Sequence, residues 1–290
     1  MFLLAHLSDV HLAPLPAPDF KELLSKRGLG YLNWLRKRRA IHRADALAAI
    51  VADLKAQQPD HIAVTGDLVN LSLSNEFTLA RAWLEALGTP DHATVVPGNH
   101  DCYVRAAADH AVRDWGDYMR GDNGETFPFV RQHGGVALIG LSTALPTLPL
   151  AATGRLGEEQ LNLLGKVLAA LKQTFRVVLL HHPPVGGNRF RRLTDASTLR
   201  EVLRRHGAEL VLHGHLHESS LVWLSGPREG IPCIGAPSAS GSPDYKDDPA
   251  GYNLFEIDGE PGAWHCQMIA RGMSRADGTI GELSRQLLTG

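Results

Sequence analysis

The chain has 290 residues and contains few of the features that define several large protein classes. Its three cysteines (Cys102, Cys233 and Cys266) are an odd, scattered set, which argues against a disulfide-stapled secreted domain. No run of 18 apolar residues is present, and the apolar N-terminal stretch is too short for a signal-peptide core. With a net charge of −2, the protein has no overall positive potential that would attract nucleic acid. We therefore predict a cytoplasmic protein that does not bind nucleic acid.

Histidine is the residue type that stands out, with 15 copies in the chain. Three of them, His213, His215 and His217, alternate with small or apolar residues in the stretch LVLHGHLHES (210–219). In a β-strand alternate side chains lie on one face, so this pattern would place imidazoles together at the end of a strand. Clustered imidazoles indicate a functional site rather than a packed hydrophobic core.

The spacing of apolar residues predicts an α/β protein with a single domain spanning residues 1–290. Short runs rich in β-branched residues predict strands, and longer stretches with helical periodicity lie between several of them. Predicted strands cover 2–7, 61–66, 93–98, 136–142, 176–182, 209–215, 231–236, 252–257 and 263–269, and predicted helices cover 43–58, 74–87, 157–173 and 196–206. The tail from about residue 272 is weakly patterned, and we expect it to pack loosely.

Five of the predicted strands are followed by Asp, Asn or His. Ligands of open α/β sheets bind beyond the carboxyl ends of the strands, so these side chains are candidates for one site. Carboxylate, amide and imidazole donors suit Mn, Fe or Zn, and their number exceeds what one tetrahedral ion needs. The candidates are Asp9, His11, Asp67, Asn99, His100, Asp101, His181, His182, His215 and His217.

The series DVH, GD, GNHD, H and GHLH, read in this order, resembles the calcineurin-like metallophosphoesterases. The resemblance covers roughly residues 2 to 240 and implies a four-layer αββα sandwich, with two mixed β-sheets between helices. Within this superfamily the segment GDLVNLSLSNEFTLA (66–80) is similar to class III cyclic-nucleotide phosphodiesterases and bacterial glycerophosphodiesterases. Those families often have Glu-Tyr where this chain has Glu76-Phe77.

The resemblance also implies a role for each site residue. Two ions are expected, with Asp67 bridging them. One would be held by Asp9, His11, Asp67 and His217, and the other by Asp67, Asn99, His181 and His215. The resemblance makes His181 rather than His182 the ligand, and it places the non-ligand His100 near the scissile phosphate. His213 is expected in a supporting or core hydrogen bond.

The implied activity is hydrolysis of a phosphodiester by a hydroxide that bridges the two ions. Mn or Fe are the expected metals, with Zn as an alternative, and Asn99, His100 and Asp67 are the expected catalytic residues. The expected substrate is a small anionic phosphodiester such as a cyclic nucleotide. A non-catalytic scaffold is the remote alternative, and the complete donor set argues against it.

An insertion at about residues 20–43 separates the first two motifs and is rich in both cations and apolar residues. Lys26, Arg27 and the run from Arg36 to Arg39 are interleaved with Leu29, Tyr31, Leu32, Trp34 and Leu35. Three interpretations are open: a packed structural helix, a substrate lid, and a contact with an anionic membrane through residues 26–43. The membrane interpretation leaves a second activity open, which is hydrolysis of a lipid-linked pyrophosphate at the inner membrane. UDP-2,3-diacylglucosamine pyrophosphohydrolases of the same superfamily have this activity.

Overall fold

A computed structural model describes residues 1–244, 246 and 248–289. Its strands form two six-stranded mixed sheets. The first sheet has the order β12-β11-β10-β1-β2-β3, with β1 Phe2–Leu7, β2 His61–Val64, β3 Ala93–Val95, β10 Gly251–Glu260, β11 Ala263–Met273 and β12 Ile280–Thr289. The second has the order β4-β5-β6-β7-β9-β8, with β4 Phe129–His133, β5 Val136–Gly140, β6 Phe175–Leu179, β7 Leu210–His213, β8 Ser220–Ser225 and β9 Gly230–Gly235.

Parallel strands form the centre of each sheet. In the first sheet β1, β2 and β3 run parallel, and in the second sheet β5, β6, β7 and β9 do. Antiparallel strands complete the sheets, β10, β11 and β12 in the first and β4 and β8 in the second. The carboxyl ends of the parallel strands therefore lie along one edge of each sheet, which is where ligands bind in α/β proteins.

The helices flank this pair of sheets. The longer ones are α4 Ala44–Ala56, α5 Ser74–Leu87, α7 Glu158–Ala170 and α8 Ala196–His206. The shorter ones are α1 Phe20–Leu23, α2 Lys26–Asn33, α3 Arg39–Ile41 and α6 His110–Trp115, together with a π-helical turn at Trp34–Arg38 and 3₁₀ turns at Arg105–Ala107 and Gly116–Met119.

Alternation along the strands of the second sheet shows how the layers pack. Val177 and Leu179 of β6 face a core shared with the first sheet and with α4 and α5. Val178 of the same strand faces a separate core that includes Leu164 of α7 and Leu203 of α8. Since successive side chains of a strand point to opposite faces, the two sheets are packed face to face between helices. This arrangement confirms the predicted αββα fold.

The C-terminal tail, for which we expect loose packing, ends in a strand. Residues 280–289 form β12, which pairs with β11 along the edge of the first sheet. Most of its side chains are exposed, and Leu288 is buried. An edge strand with so few buried positions lacks the clean alternation by which a strand is recognised in a sequence. Elsewhere the three cysteines are buried and unpaired.

Candidate metal centre

The loops after β1, β2, β3, β6 and β7 converge where the two sheets meet. Several hydrogen bonds join them: the His215 N–H donates to Asp9 Oδ2 at 2.8 Å, and His181 Nδ1 lies 2.7 Å from the Thr65 carbonyl oxygen. Ser238, from the loop after β9, donates its hydroxyl to the Asp9 carbonyl at 2.6 Å. Residues that lie far apart in the sequence are thereby brought into one buried cluster.

The first group of donors surrounds Asp9. His217 Nε2 lies 3.1 Å from Asp9 Oδ1, and His11 Nε2 lies 3.9 Å from the same oxygen and 3.8 Å from Asp67 Oδ2. Asp9, His11 and His217 each offer one atom to a common point, as a metal site requires. His11 Nδ1 lies 3.1 Å from the Val69 carbonyl and can only donate there, which leaves Nε2 as the free lone pair.

The second group surrounds His181 and shares Asp67 with the first. His181 Nε2 lies 3.4 Å from Asp67 Oδ2 and 3.3 Å from Asn99 Oδ1. His215 packs edge-on against His181 with ring centroids 5.1 Å apart. Its Nε2 lies 2.8 Å from the Arg191 carbonyl, so Nε2 donates and Nδ1 keeps its lone pair. All seven expected ligands therefore lie in one cluster, and Asp67 belongs to both groups.

Electrostatics make this cluster suited to a cation. Burial opposes a charge on His181, but Asp67 and Asp9 outweigh burial and raise the pKa of that imidazole to about 9. Burial lowers the pKa of His11 and His215 well below the usual value, so these rings are neutral and can give a lone pair. Asp9 Oδ1 is buried and faces His217 Nε2 of the same donor group at 3.1 Å. A bound cation would replace the proton that His181 holds beside the two carboxylates, and the neutral rings of His11 and His215 can give it lone pairs.

The backbone of the donor loops is left-handed at an unusual number of positions. In the described part of the chain eight non-glycine residues have positive φ, and five of them are expected ligands. The φ values are 52° at Asp9, 42° at His11, 56° at Asp67, 72° at His215 and 59° at His217. Side chains disfavour this region, and such residues concentrate at functional sites.

Two glycines allow the donor loops to approach each other. A Cβ on Gly98 would lie 2.2 Å from Asp67 Oδ1, and one on Gly214 would lie 1.7 Å from Ser8 Oγ and 2.4 Å from Asp9 Oδ2. No side chain fits at these distances. Glycine is thus required next to both carboxylates.

Two buried carboxylates outside the donor set hold the loop backbones. Asp101 accepts hydrogen bonds from the N–H groups of Asp67, Leu68, Val69 and Gly98, at 2.8 to 3.2 Å. Glu76 accepts from Asn70, Leu71 and Leu73 at 2.6 to 3.0 Å. These residues of the GNHD and GD segments order the loops rather than contact a ligand.

Two other histidines of the predicted motifs lie close by. His182 Nδ1 is 2.7 Å from the Thr143 hydroxyl, and its buried Nε2 has no hydrogen-bond partner among the described residues. Its ring lies 4.4 Å from that of His215, and His181, His182 and His215 form a third group with converging nitrogens. His213 is buried, and its Nδ1 lies 3.1 Å from the Gly214 carbonyl.

Sequence reasoning missed two residues that reach the centre from the insertion. Arg38 lies 2.9 Å from His11 Nε2 and 2.8 Å from His100 Nε2 through its two terminal nitrogens. The buried His42 ring lies 4.3 Å from that of His11 and 5.5 Å from that of His217. No pattern in the sequence distinguishes these two from the other polar residues of the insertion, since Arg38 ends a π-helical turn and His42 has extended backbone.

Comparison with known proteins identifies the family of the chain. A family model described as calcineurin-like phosphoesterase matches residues 2–219. A probable cyclic nucleotide phosphodiesterase of Synechococcus is 29% identical over 226 residues, covering 76% of this chain and 80% of the relative. One from Rhodococcus erythropolis is 27% identical over 239 residues, covering 78% and 70%. A probable glycerophosphodiester phosphodiesterase of Arcobacter nitrofigilis is 27% identical over 128 residues, covering 44% and 43%.

Solved structures show the same fold at low sequence identity. A purple acid phosphatase from yellow lupin superposes with a TM-score of 0.62 at 13% identity, covering 97% of this chain, which spans only 52% of the phosphatase. The structure of PhoD superposes with a TM-score of 0.55 at 12% identity, covering 98% and 71%. Because the matching family model spans most of the sequence, the chain belongs to the calcineurin-like phosphoesterase family and is a hydrolase that acts on phosphoesters.

Proposed function

We propose that the protein is a dinuclear metal-dependent phosphodiesterase whose substrate is a small anionic phosphodiester, in the first place a cyclic nucleotide. The observation that carries the proposal is the pair of donor groups that share Asp67, one including His11 and the other His181. The names of the two relatives that match most of the chain support the choice of substrate.

The residues present fit two ions of Mn or Fe, with Zn as the alternative. Asp9, His11 and His217 would hold one ion, Asn99, His181 and His215 the other, and Asp67 both. When bound, such a pair supplies an activated water and offsets the charge that develops on the phosphoryl oxygens. Neutral imidazoles and carboxylates are the donors these metals accept, and availability often decides among them.

The chain itself would orient the phosphoryl group and its leaving oxygen. His100 is held by two contacts: its backbone N–H donates to Asp67 Oδ1 at 2.7 Å, and its Nδ1 donates to the Asn70 carbonyl. Nε2 therefore carries the lone pair, and the ring would have to gain a proton there before it could donate to the leaving oxygen. The Asn99 amide lies beside His181 and would contact the same phosphoryl group.

A test of the proposal combines metal content with turnover. The Mn-loaded protein should hydrolyse a cyclic nucleotide faster than a glycerophosphodiester, and Asp67→Ala should lose both metal and activity. His100→Ala should lower turnover roughly 10²- to 10⁴-fold while metal content is unchanged. Asp109→Ala, at an exposed position, is the matched control. Full turnover by Asp67→Ala in metal-replete buffer would show that the assignment is wrong.

A second candidate is hydrolysis of a lipid-linked pyrophosphate at an anionic membrane surface. The insertion exposes large apolar side chains, including Phe20 at 77% and Leu24 at 71%, and it also exposes the cations Arg36, Lys37 and Arg39. Apolar and cationic side chains presented together are typical of a segment that lies on a bilayer. None of the helices in the described residues has the length and apolar character of a bilayer-spanning segment.

Liposome binding separates the two candidates. Vesicles with an anionic lipid should retain the protein at low salt, and Arg36→Glu, Lys37→Glu and Arg39→Glu combined should release it. The control replaces Arg204 and Arg205, which are exposed on α8, by Glu. Hydrolysis of a lipid diphosphate but not of a cyclic nucleotide would favour the second candidate, and absence of vesicle binding at low salt would exclude it.

A further inference from the structure

The insertion places one cation, Arg38, directly at the candidate metal centre. One terminal guanidinium nitrogen lies 2.8 Å from His100 Nε2 and the other lies 2.9 Å from His11 Nε2. Within the described residues, the hydrogen-bond contacts of the Arg38 side chain are all to ring nitrogens of these two histidines. The guanidinium thus sits between an expected metal ligand and the residue expected near the scissile phosphate.

The position of Arg38 is fixed by the fold on both sides. Before it, the buried Trp34 begins the π-helical turn, and the buried Arg27 donates to the carbonyls of Leu71 and Ser72 beside the GD loop. After it, His42 forms a bridge with Gly241, and Nδ1 of the same ring lies 3.0 Å from the Ser240 hydroxyl. The insertion is therefore a packed wall of the site, and its guanidinium is not a freely moving surface group.

The hydrogen-bond partners of the Arg38 side chain in this structure are imidazole rings, and burial outweighs the favourable effect of Asp67 and Asp9 on its charge. Guanidinium is always protonated and has five donors that fit an oxyanion in pairs, whereas imidazole rings are neutral partners. His11 Nδ1 faces the Val69 carbonyl, so Nε2 has a single lone pair, which can be given to Arg38 or to a metal but not to both. With that lone pair committed to a metal, the donor of Arg38 would be released at the place where the phosphoryl group must bind.

We propose that Arg38 binds the phosphoryl oxygens of the substrate and is a specificity-determining residue of this chain. The inference rests on the proposed phosphodiesterase function, and it names a group outside the five motifs. A charge-assisted, two-pronged contact to an oxyanion is the interaction that a fixed guanidinium makes best. His100, at the other side of the guanidinium, would face the same oxygens.

Inorganic phosphate, the simplest group with this chemistry, tests the proposal. Calorimetric titration of the Mn-loaded protein with phosphate should give an affinity that falls roughly 10- to 100-fold in Arg38→Ala and less in Arg38→Lys. Arg36 lies in the same π-helical turn and is exposed, so Arg36→Ala is the matched control. This variant should bind phosphate like the parent chain. Bound Mn, measured on the same samples, should be unchanged or higher in Arg38→Ala.

Three results would overturn the proposal. They are no phosphate binding by the parent protein, an unchanged phosphate affinity in Arg38→Ala, and a loss of bound Mn in that variant that accounts for its weaker phosphate binding. The conservative Arg38→Lys variant, compared by circular dichroism, separates a lost contact from a disturbed fold. If the parent protein binds phosphate through Arg38 but hydrolyses no phosphodiester, the proposed function fails and the role of Arg38 stands.

Discussion

Asp9 and His215 lie 206 positions apart in the sequence, yet the backbone N–H of His215 donates to Asp9 Oδ2 at 2.8 Å. The contact joins the loop after β1 of the first sheet to the loop after β7 of the second. Asp9 is therefore both a candidate ligand and a structural link between the sheets. Its other oxygen, Oδ1, faces His217 Nε2 at 3.1 Å within the first group of candidate metal ligands.

The choice between the two adjacent histidines can be tested by metal stoichiometry. His181 Nε2 faces Asp67 and Asn99, whereas His182 is held by Thr143 through Nδ1. We expect His181→Ala to lose one of two bound ions and His182→Ala to keep both, as measured by mass spectrometry of the metal content. The reverse outcome would make His182 the ligand and contradict the assignment made from the sequence.

Metal removal should destabilise the fold. Asp9 and Asp67 are buried carboxylates in one cluster, and a bound cation relieves their repulsion. An ion present at about 100 times its dissociation constant stabilises the folded state by about 2.7 kcal/mol. Thermal unfolding should therefore shift down by roughly 5 to 10 °C when a chelator is added. Asp67→Asn should show a smaller shift, and an equal shift in both proteins would count against metal binding at Asp67.

Gly214→Ala should disrupt the centre even though it adds only one methyl group. The new Cβ would lie 1.7 Å from Ser8 Oγ, so the loops after β1 and β7 must separate. We expect a loss of about 1 to 3 kcal/mol in the free energy of unfolding, together with loss of metal binding. Gly281→Ala on β12 is the control, because a Cβ there meets no atom within 4 Å. A Gly214→Ala variant with normal metal content would refute the packing argument.

The pair of Asp53 on α4 and Arg271 on β11 should make stability depend on pH. Arg271 donates to both oxygens of Asp53, at 2.9 and 2.8 Å, and these hydrogen bonds lower the pKa of Asp53. Because the pKa is lower in the folded protein, the pair stabilises the fold above the unfolded-state pKa of about 4, and this stabilisation is lost as pH falls through the folded value.

Asp53→Asn is the variant that checks this dependence. We expect a loss of about 1 kcal/mol at pH 7, since both side chains are partly exposed and solvent screens the pair. The difference from the parent protein in chemical denaturation should shrink as the pH is lowered towards 3. A difference that is the same at pH 7 and pH 3 would assign the effect to packing instead of charge.

Much of the fold could be predicted because local pattern and tertiary environment agree. The predicted helices at 74–87 and 196–206 coincide with α5 and α8, and each buries the apolar face that its spacing indicates. Strands β4, β8 and β12 were not predicted. They lie at sheet edges, where exposed positions interrupt the apolar alternation.

The candidate centre was predictable in its motifs and not in its surroundings. Ligands that follow strands are placed by the topology of the sheets, so a sequence with complete motifs indicates where they meet. Arg38 and His42 reach the centre only because the insertion folds back over it. The insertion is anchored by the buried Trp34 and by the bridge between His42 and Gly241. A basic helical stretch has no pattern that shows which of its cations turns inward.

The left-handed backbone at the donor positions implies a trade-off between folding and function at single residues. A non-glycine residue in this region costs on the order of 1 kcal/mol, and glycine does not incur that cost. His217→Gly should therefore yield a metal-free protein that is more stable than the corresponding His217→Ala. At such positions the residues that serve the chemistry are not the ones that the chain alone would prefer.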